Sequence, residues 1–174
     1  MTRKGQVLQK GEPTVSMLLD PGHFLSLGCG LGLIRFAPGT FGALLGVGIY
    51  VPLSTLPASN YVSACGILFL VGVAVCHRTS QVLGGKDHGS IVWDEVVGML
   101  ATLSFCSSGL IGVVVGFVAF RIFDILKPWP IGEVDKGVGG GFGIMIDDCL
   151  AAVYAALCLE MFEVFLTTVD WGGV

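Results

Sequence analysis

Charge is what this sequence has least of. Asp, Glu, Lys and Arg supply 13% of its residues, about half the share usual in a soluble domain. Hydrophobic residues make up 53% and the mean hydropathy is +0.85, so a water-facing surface cannot be assembled and a soluble globular protein is excluded. No Lys- or Arg-rich run is present and the net charge is -4, which excludes nucleic acid as a partner. The six cysteines (Cys29, Cys65, Cys76, Cys106, Cys149 and Cys158) form no CxxC pair. All sit in or beside apolar runs and read as buried, inert thiols. No apolar stretch with a cleavage site directly follows the first sixteen residues, MTRKGQVLQKGEPTVS, so a signal peptide is not expected. Internal repeats are lacking too.

What is abundant is glycine, at 27 residues, which suits close helix packing in lipid. Residues 1–20 read as a polar cytoplasmic tail and 21–170 as one membrane domain. The stretch 23–33, HFLSLGCGLGL, is too short to cross about 30 Å of hydrocarbon and fits a half-helix or re-entrant segment. Residues 40–56 form a first span, with Gly42 and Gly46 in GxxxG spacing, and 61–76 a second. The 36 residues from Ile91 to Leu126 would make a helix of roughly 54 Å, too long for one crossing. Cys106-Ser107-Ser108-Gly109 offers a turn near their middle, so they read as a hairpin, 91–105 and 110–126. A last span covers 143–165. The expected fold is an all-α integral membrane protein: a compact bundle of about five short transmembrane helices plus an N-terminal half-helix, with its active site at the cytoplasmic face. With five spans and the N-terminus inside, all nine basic residues, Arg35, Arg78, Arg121, Lys127 and Lys136 among them, lie on or near the cytoplasmic face. Four spans would turn the loop bearing Lys127 and Lys136 outward.

Charges near bilayer depth cost roughly 2.5 kcal/mol or more each at the centre, yet this chain concentrates them in three segments. HGSIVWDE holds His88, Asp94 and Glu95; FRIFDILKPWP holds Arg121, Asp124 and Lys127; GGGFGIMIDD holds Asp147 and Asp148. On a helix, Arg121 and Asp124 are three apart and share a face, and Lys127 stands just before Pro128, where the helix must end. Asp147 and Asp148 are expected to open the last helix, where the macrodipole favours anions. Five carboxylates beside Arg, Lys and His suit a hard cation such as Mg²⁺, Ca²⁺ or Mn²⁺, and the cations suit phosphate. Phosphoryl chemistry on a lipid headgroup follows. Blander readings stand beside it: Arg121–Asp124 as a structural ion pair, Asp147 and Asp148 as helix-start charges, His23 and His77 as interfacial, Trp93 and Trp129 as interface anchors. Thr40 either caps the first span or touches the headgroup, and its position fits capping. The glycines of 137–143 read as a loop; without a GK[ST] ending they form no P-loop. An ion transporter with intramembrane carboxylates and a non-catalytic assembly subunit are the rival functions. The transporter requires carboxylates near mid-bilayer, and the subunit leaves the clustered acids and bases without a purpose.

Four stretches, APGTFGALLG (37–46), CHRTSQVLGGKDHGSIVWDEVVGM (76–99), FRIFDILKPWPI (120–131) and GGGFGIMIDD (139–148), occur in an order that resembles the phosphatidylglycerophosphatase A family. The resemblance implies hydrolysis of phosphatidylglycerophosphate to phosphatidylglycerol and inorganic phosphate, a Mg²⁺ requirement, and a bacterial inner membrane with the active site facing the cytoplasm. Its partners are then that phospholipid and the surrounding membrane lipid. The metal ligands expected are Asp94, Glu95, Asp124, Asp147 and Asp148. Asp94, Asp124, Lys127, Arg121 and His88 are expected to be catalytic, and Arg35, Thr40, Lys86 and Lys127 to bind substrate. His88 or Asp87 would protonate the leaving oxygen. Water and an aspartate remain alternative nucleophiles.

Overall fold

The computed structural model describes residues 11–84 and 88–168, and every regular element among them is helical. A 3-10 turn, Val15–Leu19, leads into the short α1, Pro21–Ser26, and a second 3-10 segment, Gly28–Leu33, completes the expected half-helix region. The longer elements are α2 (Pro38–Leu53), α3 (Ala58–Leu83), α4 (Trp93–Leu103), α5 (Gly109–Leu126) and α7 (Gly140–Thr168), with the short α6 (Ile131–Gly137) before the last. The hairpin turn falls where the sequence placed it, between α4 and α5.

Among the described residues three helices, α3, α5 and α7, are long and apolar enough to cross a membrane. At 16 and 11 residues, α2 and α4 extend roughly 24 and 16 Å, short of about 30 Å of hydrocarbon. Three crossings by length therefore stand against the five expected. The shortness of α4 has a use. Almost all of it is buried, including Trp93, Asp94, Val96, Val97, Met99 and Leu100, so it serves as the bundle's inner piece.

The axis of the packing is α7, which touches α3, α4, α5 and α6, while α2 lies along α4. Ala151, Ala152 and Ala155 of α7 are buried against Met99, Leu103 and Phe120, and their small size lets the helices approach. On the other side, Met145 of α7 joins Cys76 of α3 and Trp93, Val97 and Leu100 of α4. Gly46 makes the same close approach for α2: a methyl there would meet Met99 Cβ and the Val96 carbonyl oxygen, each at 2.8 Å.

Polar contacts fasten the ends. The Asp20 carboxylate caps α1, accepting from the Gly22 N–H at 2.9 Å and the His23 N–H at 3.3 Å, and pairs with Arg78 of α3 at 2.7 Å. Burial works to raise its pKa, but those N–H groups and the guanidinium hold it below the usual value. Behind it His23 Nδ1 meets Thr79 Oγ1 at 2.9 Å. The Val92 N–H donates to the Ser26 carbonyl at 3.0 Å, which ties the segment entering α4 to α1. At the opposite end, Glu163 of α7 accepts from the Ser107 and Ser108 N–H groups, at 2.7 and 3.0 Å, and so caps α5 from outside its own helix.

Several expectations need correction. Thr40 is not the α2 cap: that place belongs to Ala37, in the left-handed region at φ 47° with no side-chain cap. Trp93 is core, its Nε1 donating to the Leu68 carbonyl at 3.2 Å, and His23 is buried. Trp129 is exposed. Gly137 ends α6 and Gly140 begins α7, so the glycine run is mostly helix ends. Cys29 and Cys158 are exposed rather than buried.

Gly46→Leu is expected to destabilise the protein in detergent by roughly 1–3 kcal/mol, because overpacking forces backbone shifts. Gly48→Leu, at a site with nothing within 4 Å of an added Cβ, leaves the thermal midpoint unchanged. Thermal unfolding of the two variants checks the packing of α2 on α4.

Candidate active site

Alternating helix directions bring the start of α2, the end of α3, the start of α4, the end of α5 and the start of α7 to one end of the bundle. The three charged segments meet there. Asp94 and Glu95 occupy the first turn of α4. Asp148 comes from α7, and one carboxylate oxygen from each of the three lies within 4.8 Å of the others. Asp94 and Asp148 are buried. At an effective dielectric of about 20, like charges 4.8 Å apart repel by about 3.5 kcal/mol per pair, so the trio requires positive charge nearby.

The Arg121 guanidinium supplies some of it. Its Nη1 is 3.8 Å from Glu95 Oε1 and also donates to Asp124 Oδ2, the i,i+3 pairing read from the sequence. Asp124 in turn lies within electrostatic reach of Asp148. Two carboxylates, Glu95 from the cluster and Asp124 beside it, thus share one guanidinium. Oδ2 of Asp148 is buried without a hydrogen-bond partner, which is costly unless something binds it. An all-oxygen set, one orphaned oxygen and surplus negative charge fit a divalent cation.

Asp147 turns elsewhere. Its Oδ2 lies 2.5 Å from Lys127 Nζ, which also reaches Asp135 Oδ1 at 2.9 Å. Burial pulls the Lys127 pKa down, but the two carboxylates raise it by more, and it stands above its ordinary value. The ammonium therefore stays charged across the whole physiological range. Asp147 and Asp148 are the eighth and ninth residues of α7, so they do not open it, and adjacent positions send them to different partners. Lys127 itself adopts the left-handed region at φ 41°, as Ala37 does at the start of α2. Such backbone is uncommon outside glycine and clusters at functional sites.

Of the remaining expected residues, Thr40 lies on α2 beside Arg121 in a shared groove. Arg35 is exposed in the segment before α2. His88 precedes α4, half-buried, its Nδ1 accepting from the Ser90 N–H at 3.3 Å. Lys86 and Asp87 lie outside the described residues. Two participants escaped the sequence reading. Asp135 shares Lys127, and nothing in its spacing across Pro128 and Pro130 marked it. Gly39 was visible inside APGT, but its role was not: a methyl there would strike Glu95 Oε1 and come within 3.1 Å of Arg121 Nη1.

The family model for phosphatidylglycerophosphatase A matches residues 24–163. This chain belongs to the phosphatidylglycerophosphatase A family. It is similar to the phosphatidylglycerophosphatase A of Haemophilus influenzae, with 46% identity over 143 residues, covering 80% of this chain and 87% of that one. The phosphatidylglycerophosphatase A of Escherichia coli is 44% identical over 138 residues, covering 79% of this chain and 80% of its own. No solved structure matches. Membership places the chain among phosphoric monoester hydrolases of phospholipid metabolism, and the matched region contains every carboxylate and cation of the site just described.

Two outcomes test this geometry. Gly39→Ala is expected to displace the Glu95 carboxylate and lower activity while the thermal midpoint falls only slightly. Lys127→Met leaves the Asp147 charge buried and uncompensated, costing about 3–5 kcal/mol. Adding Asp147→Asn restores most of that stability without restoring activity, as paired unfolding and activity measurements on the single and double variants show.

Proposed function

We propose that this chain hydrolyses phosphatidylglycerophosphate to phosphatidylglycerol and inorganic phosphate in a Mg²⁺-dependent reaction. The observation that carries the reading is the convergence of Asp94, Glu95 and Asp148 within 4.8 Å, beside Arg121, at one end of an apolar bundle. Asp94, Glu95 and Asp148 hold the ion, with Asp124 adjoining. Bound there, Mg²⁺ supplies charge neutralisation for the phosphomonoester and a more acidic water.

The chain's own groups do the rest. Arg121, pinned by Glu95 and Asp124, offers its guanidinium to phosphate oxygens and stabilises charge as it develops. Lys127, held charged by Asp147 and Asp135, is the second phosphate cation, and Arg35, exposed before α2, draws the headgroup in from outside; Lys86 is a further substrate-binding candidate. A bond forms from water oxygen to phosphorus, and the bond from phosphorus to the glycerol oxygen breaks. That oxygen leaves with a proton delivered by His88, as the new hydroxyl of phosphatidylglycerol; the attacking water releases a proton to bulk solvent, and His88 takes one back from there before the next turnover.

The location we propose is a bacterial inner membrane, in keeping with the bacterial relatives, and charge asymmetry supports a site facing the cytoplasm. Among the described residues, Arg35, Arg78, Arg121, Lys127 and Lys136 all lie towards the site end, and the connections 54–57 and 104–108 at the other end hold no Lys or Arg.

Phosphate release from phosphatidylglycerophosphate by purified protein in detergent tests the proposal. Release is expected with Mg²⁺ and abolished by EDTA, and Asp94→Asn or Asp148→Asn lowers kcat by about a hundredfold or more while the protein remains folded. Release that persists in EDTA would overturn the metal assignment, and no release with any divalent ion would overturn the function.

A further inference from the structure

The carboxylate cluster accounts for a headgroup and leaves open where the rest of a lipid would lie. A groove of about 370 Å³ runs between α2 and α5. Phe117, Val118, Ile122 and Ile125 of α5 form its wall, with Thr40 and Arg121 as its polar lining. On α5 these residues recur at the spacing of one helix face. Val118, Ile122 and Ile125 are 50%, 47% and 67% exposed, so the groove opens sideways, onto the flank a crossing helix turns to hydrocarbon.

Arg121 belongs to both features. It lines the groove, and its Nη1 lies 3.8 Å from Glu95 in the carboxylate cluster. Thr40 stands one residue beyond Gly39, which packs on Glu95 and Arg121. An apolar slot continuous with a phosphate-binding cation matches one kind of occupant: a molecule with a phosphate at one end and a hydrocarbon chain at the other. A groove made to pack a second protein helix has no need of a half-buried guanidinium shared with a carboxylate cluster.

We propose that the α2–α5 groove is an acyl-chain subsite, through which the phospholipid reaches the carboxylate cluster sideways from the bilayer. This rests on the phosphatase reading above. One acyl chain lies along Val118, Ile122 and Ile125, its glycerol end beside Thr40, and the phosphate reaches Arg121. The subsite selects for a lipid held in the membrane plane over a soluble phosphomonoester carrying the same headgroup.

The test compares two substrates: phosphatidylglycerophosphate in mixed micelles, and the water-soluble fragment left when both its acyl chains are removed. Val118→Trp and Ile122→Trp fill the groove. Each is expected to lower the ratio of kcat/KM for the diacyl substrate to that for the fragment by about tenfold, because several methylenes lose their burial. Leu157→Trp, at an exposed position of α7 that does not line the groove, leaves the ratio unchanged. A ratio unmoved by the groove variants would overturn the subsite, as would a shift in oligomeric state on size exclusion, which would assign the groove to a contact between copies. Failure of the unsubstituted chain to release phosphate from either substrate would instead overturn the phosphatase reading. Photocrosslinking in EDTA with the substrate carrying a photoreactive acyl chain gives a readout without turnover. Mass spectrometry is expected to find the label on residues 117–125, and labelling confined to α3 or α7 would overturn the proposal.

Discussion

Mutual repulsion among buried carboxylates governs this structure. Asp94, Glu95 and Asp148 are held within 4.8 Å of one another, inside a bundle whose other buried groups are mostly apolar. Such an arrangement exists only if the surrounding packing over-determines it and positive charge offsets it. Among the described residues Arg121 provides part of that offset, and it divides it between Glu95 and Asp124. The remaining negative charge and the orphaned Asp148 oxygen give the cluster its capacity for a cation.

The packing that confines the cluster comes from small residues and from a short inner helix. The start of α4 is set by the segment before it, which hydrogen-bonds to α1 through Val92 and Ser26. Its buried face meets the alanines of α7 on one side and Gly42 and Gly46 of α2 on the other. Gly39 continues that close contact up to the charged groups themselves. Far from the site, Glu163 fixes the turn between α4 and α5, and so helps set the placement of Arg121 against α7. Stability and chemistry are thus coupled through the same helix contacts.

The gathering of charged residues at one candidate site was largely legible in the sequence because charge in so apolar a chain stands out. The i,i+3 spacing of Arg121 and Asp124 predicted a pair that the structure contains, and the hairpin turn near Ser107 followed from the length of the apolar run together with the Ser-Ser-Gly turn residues at its middle. Other features were not legible. Asp147 and Asp148 are neighbours in sequence, and successive residues of a helix diverge by about 100°. One therefore faces Lys127 and the other faces Asp94 and Glu95. The start of α7 at Gly140 was hidden by glycines that read as loop, and Trp93 was assigned to an interface when its indole fills the core.

Composition and charge placement determined by themselves that this is a helical, membrane-type chain with acids and bases gathered in three segments, since apolar length and the rarity of charge are one-dimensional properties. Which carboxylates share a site, which one is committed to a lysine, and how close α2 comes to the guanidinium were decided only by tertiary packing. Those outcomes depend on helix rotation and on the approach distance that glycine and alanine permit at each crossing, and neither is a property of any one segment.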